Sequence, residues 1–347
     1  MALQNLEIVL AERPTGDIIP GRTFKQKTSA APTENDLQDG EVLVENLFMS
    51  LDPAMRGFLD DTRSYWPPVQ IGERMRALTV SRVLASKSTK VSKGDIIPVP
   101  AGWAEYSIIA AQDVPDASAF PEVTNPADYL SSLGITALTA YFGILRIGDP
   151  KAGETVVISG AAGATGSVAG QIAKIRGARV IGIAGSDEKC RWLTEELGFD
   201  VAINYKNADY IAKLEEATPD FIDIFFDNVG GTILDSALAR ANPHARFVLS
   251  GNISQYNSST PQQFLHFTKV ITLRLKMQGF IILDYSDEFR AAREQLIRWL
   301  DEGKIQRKET VVRGGLAVAE QALVDLYKGV NTGKLLVEIK EDKAIKL

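Results

Sequence analysis

The chain has 347 residues, 45% hydrophobic and 24% charged, a length that suits two globular domains better than one core. Its formal net charge of −6 argues against a broad nucleic-acid or anionic-membrane surface. One cysteine and two histidines exclude a disulfide framework and a four-cysteine zinc site, and leave too few soft ligands for a mixed catalytic metal site.

The opening MALQNLEIVLAERP carries Glu7 and Glu12 with no basic start, so it does not read as a signal peptide. No apolar run has the length of a membrane span. The lone Cys190 fits a reducing, cytoplasmic compartment.

In the first 125 residues or so, short β-type runs alternate with turn signals. Glu41-Val-Leu-Val-Glu-Asn alternates. Lys93-Gly-Asp95 reads as a tight turn before Ile96-Ile-Pro-Val, and Trp103-Ala-Glu-Tyr-Ser-Ile-Ile follows as another strand. This spacing predicts an all-β, barrel-like unit, with SYWPPV as a surface loop.

The pattern changes at Asn125-Pro126, and from 126 to 300 apolar strands alternate with helical segments. Thr155-Val-Val-Ile-Ser, Ala178-Arg-Val-Ile-Gly-Ile, Phe221-Ile-Asp-Ile-Phe-Phe and Arg246-Phe-Val-Leu are strands. Thr165 to Arg176 is a helix with Val168, Ile172 and Ile175 on one face, and Glu188 to Leu197 is another, ended by Gly198. Such alternation predicts a doubly wound parallel sheet with crossover helices. From 301 to 347 strand-like pieces return around a short helix at Val318–Tyr327.

Between the first of these strands and its helix lies Gly160-Ala-Ala-Gly163-Ala-Thr-Gly166. On the dinucleotide fingerprint it supplies Gly163 and Gly166 but places Ala161 at the first position. Gly163 lets backbone approach a pyrophosphate, Gly166 lets the helix pack on the strand, and the helix N-terminus offers free N–H groups. The next strand ends Ile183-Ala184-Gly185-Ser186, without the acidic residue that would bind the ribose hydroxyls of NAD. Asp187 begins the following helix instead. Ser186, Lys189 and Arg191 offer donors suited to a 2′-phosphate, which favours NADP.

AAGATGS, GSDEK, INYK, FDNVGG, SGNISQYN, MQGF and NTGK occur in this order, after MSLDPAMRG and SYWPPVQIG. Over nearly its whole length the chain thus resembles the zinc-independent medium-chain dehydrogenase/reductases. Within them it is similar to the prostaglandin/leukotriene reductases, alkenal double-bond reductases and curcumin reductases. One departure is Ala54, where that group usually has tyrosine. The resemblance implies a Rossmann-type cofactor domain, residues 126–300, and a barrel-like (GroES-like) catalytic domain from both chain ends, 1–125 and 301–347. It implies NADPH as hydride donor and an α,β-unsaturated ketone or aldehyde as acceptor. By position it puts Gly163, Ala164, Thr165 and Gly166 on the pyrophosphate, and Ser186, Lys189 and Tyr205 around the adenosine phosphate. Asn228, the loop from Ser250 and Gly251 to Tyr256, Phe280 and Asn331 fall along the rest of the cofactor.

Hydride addition to the β-carbon of an enone pushes charge onto the carbonyl oxygen. Tyr256, in a polar loop after a parallel strand, either donates to that oxygen or packs against the cofactor. Tyr65 and Trp66 either wall an apolar substrate pocket or cap a hydrophobic patch. Arg56 either contacts substrate or pairs with Asp52 at helical spacing. His244 and His266 show no partner in the sequence. Cys190, beside Lys189, reads as a packed helix cysteine more readily than as a reactive thiol. Met277-Gln-Gly-Phe280 reads as an edge strand whose pairing across a two-fold axis would give a homodimer. The same fold and cofactor also serve quinone reduction, and a non-catalytic NADPH-binding protein, like the lens crystallins of this superfamily, is a third class.

Overall fold

The computed structural model describes residues 3–116, 120–121, 123–260 and 262–342. The chain forms two compact units, Met1–Ser131 with Glu309–Leu347, and Ser132–Lys308. The first unit opens with β1 (Gln4–Leu10), β2 (Phe24–Ala30), β3 (Val42–Ser50), β4 (Thr79–Ser86), β5 (Ile96–Val99) and β6 (Tyr106–Ile109). The second carries α1 (Ile135–Phe142), β7 (Thr155–Ile158), α2 (Ala164–Ile175), β8 (Arg179–Ala184), α3 (Asp187–Glu195), β9 (Val201–Asn204), α4 (Tyr210–Ala217), β10 (Ile222–Asp227), α5 (Gly231–Ala239), β11 (Ala241–Leu249), α6 (Lys269–Thr272), β12 (Lys276–Gly279) and α7 (Phe289–Asp301). Three elements return to the first unit: β13 (Glu309–Arg313), α8 (Ala319–Tyr327) and β14 (Lys334–Glu338).

In the first unit β1 and β2 form an antiparallel ribbon, and a second sheet runs β13-β14-β3-β4-β5 with β6 also on β3. β3 is the hub: β4, β6 and β14 all pair with it, antiparallel. The alternation expected at its start is not seen. Val42, Leu43 and Val44 are all buried, because apolar clusters cover both faces of this strand. The 3-10 turn Pro126–Tyr129 belongs here, since Ala127 and Leu130 join the cluster of Leu47, Phe48, Val80 and Leu336. That contact carries the first unit past the change of sequence pattern at residue 126.

In the second unit all six strands are parallel, in the order β12-β11-β10-β7-β8-β9. From β7 the chain winds one way through β8 to β9, and from β10 the other way through β11 to β12. The reversal lies between the neighbours β7 and β10, where the crevice outside the strands' carboxyl ends receives ligands in such sheets. The middle of the sheet is apolar: Val156, Val157, Ile158, Ile181, Ile183, Phe225, Phe226, Phe247 and Val248 are each fully buried. β12 ends one edge of the sheet. Among the described residues no helix is long and apolar enough to cross a membrane.

Candidate functional site

The turn after β7 is shaped by glycines. Gly160 takes the left-handed φ of +58°, so the sharp bend falls one residue before Ala161, which is itself buried and donates its N–H to the Ile183 carbonyl at 2.9 Å. Gly163 is the residue before α2, and the first helical bond runs from Ser167 N–H to its carbonyl at 3.0 Å. The N–H groups of Ala164, Thr165 and Gly166 therefore precede the helical ladder and are oriented for an anion. A side-chain carbon at Gly166 would lie 2.4 Å from the Gly160 carbonyl oxygen and 2.8 Å from the Ala161 Cα. Only hydrogen fits there.

At the end of β8, Ser186 caps α3 by accepting the Lys189 N–H at 3.2 Å. Asp187 points elsewhere. Its carboxylate accepts from Asn204 at 2.9 Å and from Asn207 at 3.4 Å, and these bonds hold its pKa low. Half-buried Lys189 is pushed down by desolvation, and the charge of Lys206 adds to the fall. Lys206 also stands 6.0 Å over the Tyr205 ring. Two mutually repelling ammonium groups beyond the end of β8 make a place that a dianion would stabilise. Lys206, inside the quoted INYK, was not singled out by sequence reasoning. Lysines are common on surfaces, and only the fold brings this one to Lys189.

Between β7 and β10 lies a buried polar knot, of which sequence reasoning named Asn228 but not Ser159 or Asp227. Ser159 Oγ donates to Asp227 Oδ1 at 2.7 Å and accepts the Asn228 N–H at 2.8 Å. Asn228 Nδ2 returns to the Ser159 carbonyl at 2.7 Å. Asp227 is 1% exposed, and its side chain also accepts the N–H groups of Val229 and Gly230. Burial pushes its carboxyl up, while the bonds from Gly230, Ser159 and Val229 pull the other way.

The loop after β11 is hung on this knot. The Asp227 carbonyl accepts from Ser250 and Gly251 at 2.8 and 3.0 Å, the Asn228 carbonyl from Ile253 at 3.3 Å, and the Val229 carbonyl from Ser254 at 3.0 Å. Gly230, at φ +69°, makes room: a side-chain carbon there would lie 1.8 Å from Asn252 Oδ1. The Asn252 N–H then donates to Tyr256 Oη at 3.1 Å. An acceptor site of the phenol oxygen is filled by backbone, so its own proton is left to donate. Burial raises the pKa of this phenol, with the Asn252 N–H opposing and Asp227 adding. Tyr256 thus stays protonated at neutral pH.

Other candidates are placed as follows. Phe280, just past β12, is half-buried and meets Tyr285 edge-on at 6.5 Å. Thr136, at the start of α1, buries a hydroxyl with no hydrogen-bond partner. In the first unit, Asn331 is buried and donates to the Gly333 carbonyl at 2.8 Å. Tyr65 and Trp66 are about half exposed, and Tyr65 packs edge-on against Phe58 at 6.5 Å.

Three expectations are corrected. Arg56 pairs with Asp60 at 2.6 Å rather than with Asp52. Asp52 stands outside the 3-10 helix Pro53–Leu59 as its extended N-cap and is taken by the buried Lys334. His266 is not partnerless: Asp235 meets its Nδ1 at 2.8 Å and its backbone N–H at 2.9 Å. His244 lies on β11, 3.4 Å from Arg274 Nε. Cys190 is half-buried, and burial pushes its thiol up to about 11, the opposite of activation.

Comparison with known proteins gives this geometry relatives. Residues 7–116 match the family described as the N-terminal domain of oxidoreductase, and residues 164–300 the one described as zinc-binding dehydrogenase. Among the described residues no group of three or more His, Cys, Asp and Glu could hold a metal ion. An NADPH-dependent curcumin reductase of Escherichia coli is 38% identical over 98% of this chain and 98% of its own. An NADP-dependent 2-alkenal reductase of Nicotiana tabacum is 38% identical over 92% of this chain and 97% of its own. The crystal structure of CurA from Vibrio vulnificus in complex with NADPH superposes with a TM-score of 0.88, at 37% identity over 97% of this chain and 100% of that one.

Proposed function

The chain is a member of the zinc-independent medium-chain dehydrogenase/reductases, and from that premise we propose that it reduces the carbon–carbon double bond of α,β-unsaturated ketones and aldehydes with NADPH. The observation that carries the reading is the jig around Tyr256: a protonated phenol, fixed through its oxygen by backbone, at the carboxyl end of the sheet beside the topological switch.

The α2 turn holds the pyrophosphate on the N–H groups of Ala164, Thr165 and Gly166. Ser186, Lys189, Tyr205 and Lys206 hold the adenosine phosphate. Asn228, Ser250, Gly251, Phe280 and Asn331 line the rest of the cofactor. When bound, NADPH supplies the hydride that adds to the substrate β-carbon. Tyr256 donates a hydrogen bond to the carbonyl oxygen as negative charge gathers there, a contribution of roughly 3 kcal/mol in comparable oxyanion sites. A proton from Tyr256 or water then reaches the α-carbon, so that one hydride and one proton saturate the bond. Tyr65 walls the substrate. The relatives named for curcumin and 2-alkenals support this substrate class.

The protein works as a cytoplasmic homodimer in this reading. β12 pairs along one edge only, and the segment before it exposes Phe264, Leu265, Phe267 and Ile271. The deciding experiment is NADPH oxidation over alkenals, aryl enones, curcumin and quinones, with products identified. The reading expects saturated carbonyl products. Hydroquinone as the only product would make the protein a quinone reductase, and cofactor binding without turnover would make it a non-catalytic binder.

A further inference from the structure

Two loops of the first unit, residues 12–17 and 60–68, contain no fully buried side chain. In the second, Tyr65 rests edge-on against Phe58 and Arg76 Nη1 donates to the Pro67 carbonyl at 2.5 Å, and a pair of arginines crosses between the two loops. Arg56 projects from the 3-10 helix Pro53–Leu59, and its side chain is only 5% exposed. Its Nε donates to the Gly16 carbonyl at 3.2 Å and its Nη2 to the Pro14 carbonyl at 3.1 Å, while Nη1 holds Asp60 at 2.6 Å. The reciprocal contact starts from the other loop. Arg13 Nη1 donates to the Leu59 carbonyl at 2.7 Å, and its Nη2 lies 3.9 Å from Asp61. The helix itself is fixed at its start, where Tyr327 donates to the Pro53 carbonyl at 3.0 Å.

We propose that Arg56 is a positioning residue for substrate selection: its buried guanidinium staples the 12–17 turn to the 60–68 loop and so sets the stance of Tyr65 and Trp66. This rests on the reading that Tyr65 walls the substrate. The guanidinium is buried and each of its three nitrogens holds a partner within the first unit, Gly16, Pro14 or Asp60, so its part in selection is played through the loops. A planar fork serves two carbonyls and a carboxylate in three directions, which a lysine ammonium on a flexible stem does not reproduce. With the staple loosened, the aromatic wall must be ordered anew at each binding event, and that cost falls on substrates large enough to lean on it.

Two variants of the full chain test this, Arg56→Lys and Asp60→Asn, the second removing only the negative charge of the partner on the 60–68 side. In hydrogen–deuterium exchange, Arg56→Lys raises exchange in both loops together, and Asp60→Asn raises it in 60–68 alone. In steady-state assays with saturating NADPH, Arg56→Lys lowers kcat/KM for curcumin about tenfold more than for a short linear enal. That loss lies in KM, and the NADPH dissociation constant holds. Unaltered exchange in both loops overturns the staple. Equal losses for both substrates overturn its role in selection. Should the unmutated protein reduce neither compound, the enone reading falls, while exchange still decides whether the staple exists.

Discussion

The turn after β7 and the loop after β11 face the same end of one sheet, yet they are built in different ways. The first is local: one strand, one bend and one helix, with Gly160, Gly163 and Gly166 inside seven residues. The second is assembled from pieces far apart. Ser159 reaches Asp227 across 68 positions, and the 250–256 loop hangs from the carbonyls of residues 227–229. A local device is visible as a spacing of residue types. A composite one is visible only once the sheet has brought its pieces together. In the proposed function the first holds a ligand and the second aims a donor.

Substitutions at the two places should therefore fail differently. The largest effect is expected at Gly166→Ala. Its new methyl would sit 2.4 Å from the Gly160 carbonyl oxygen, costing about 1–3 kcal/mol by overpacking. With the helix pushed off the turn, NADPH affinity should fall at least about a hundredfold in a fluorescence titration. Affinity within a factor of about two of the parent would remove the phosphate seat from this turn.

Next comes Gly230→Ala, which would displace Asn252 and with it the N–H that fixes Tyr256. Turnover should fall about tenfold to a hundredfold, the scale of a misplaced catalytic group, with a smaller change in NADPH affinity than Gly166→Ala gives. An affinity loss as large as at Gly166, with no loss of turnover beyond it, would erase the contrast between the two regions.

A third substitution sharpens the ligand-holding side. Lys206→Ala should raise the KM for NADPH about tenfold, the worth of one charge-assisted hydrogen bond, and leave NADH kinetics alone. Equal changes with both cofactors would take Lys206 off the 2′-phosphate.

The smallest effect is expected at Cys190. Its thiol is raised from 9.0 to about 11, so at pH 8 it holds about a hundredfold less thiolate than an ordinary thiol. Iodoacetamide should label it slowly at pH 8, faster as pH climbs toward 11, and with no protection by NADPH. Rapid labelling at pH 8, blocked by cofactor, would bring it into the site.

The alternation of strands and helices, the glycine turn and the polar loop around Tyr256 were legible because each rests on local periodicity or turn chemistry. β9 was not read as a strand: Val201–Asn204 is four residues long and mostly half-buried. β3 misled because burial on both faces removes the period of two. Arg56 was matched to Asp52 by α-helical spacing, but it sits in a 3-10 helix whose N-cap Asp52 belongs to Lys334. Asp227, His266 and Lys206 draw their meaning from Ser159, Asp235 and Lys189, partners that no nearby spacing announces.

The central claim is that Tyr256 donates to the oxygen of the reacting enone. Tyr256→Phe keeps the ring and removes only the donor. The direct test is single-turnover reduction of an enone under saturating NADPH, beside the cofactor dissociation constant and across pH. The account predicts a hydride-transfer rate lower by about tenfold to a hundredfold, with little change in cofactor affinity. In the unmutated protein, burial raises the phenol above its ordinary value of 10.0, so the donor form persists upward and no phenol ionisation should cut the rate below about pH 10. An unchanged hydride-transfer rate with weakened NADPH binding would contradict the account and leave Tyr256 as a residue that packs the cofactor.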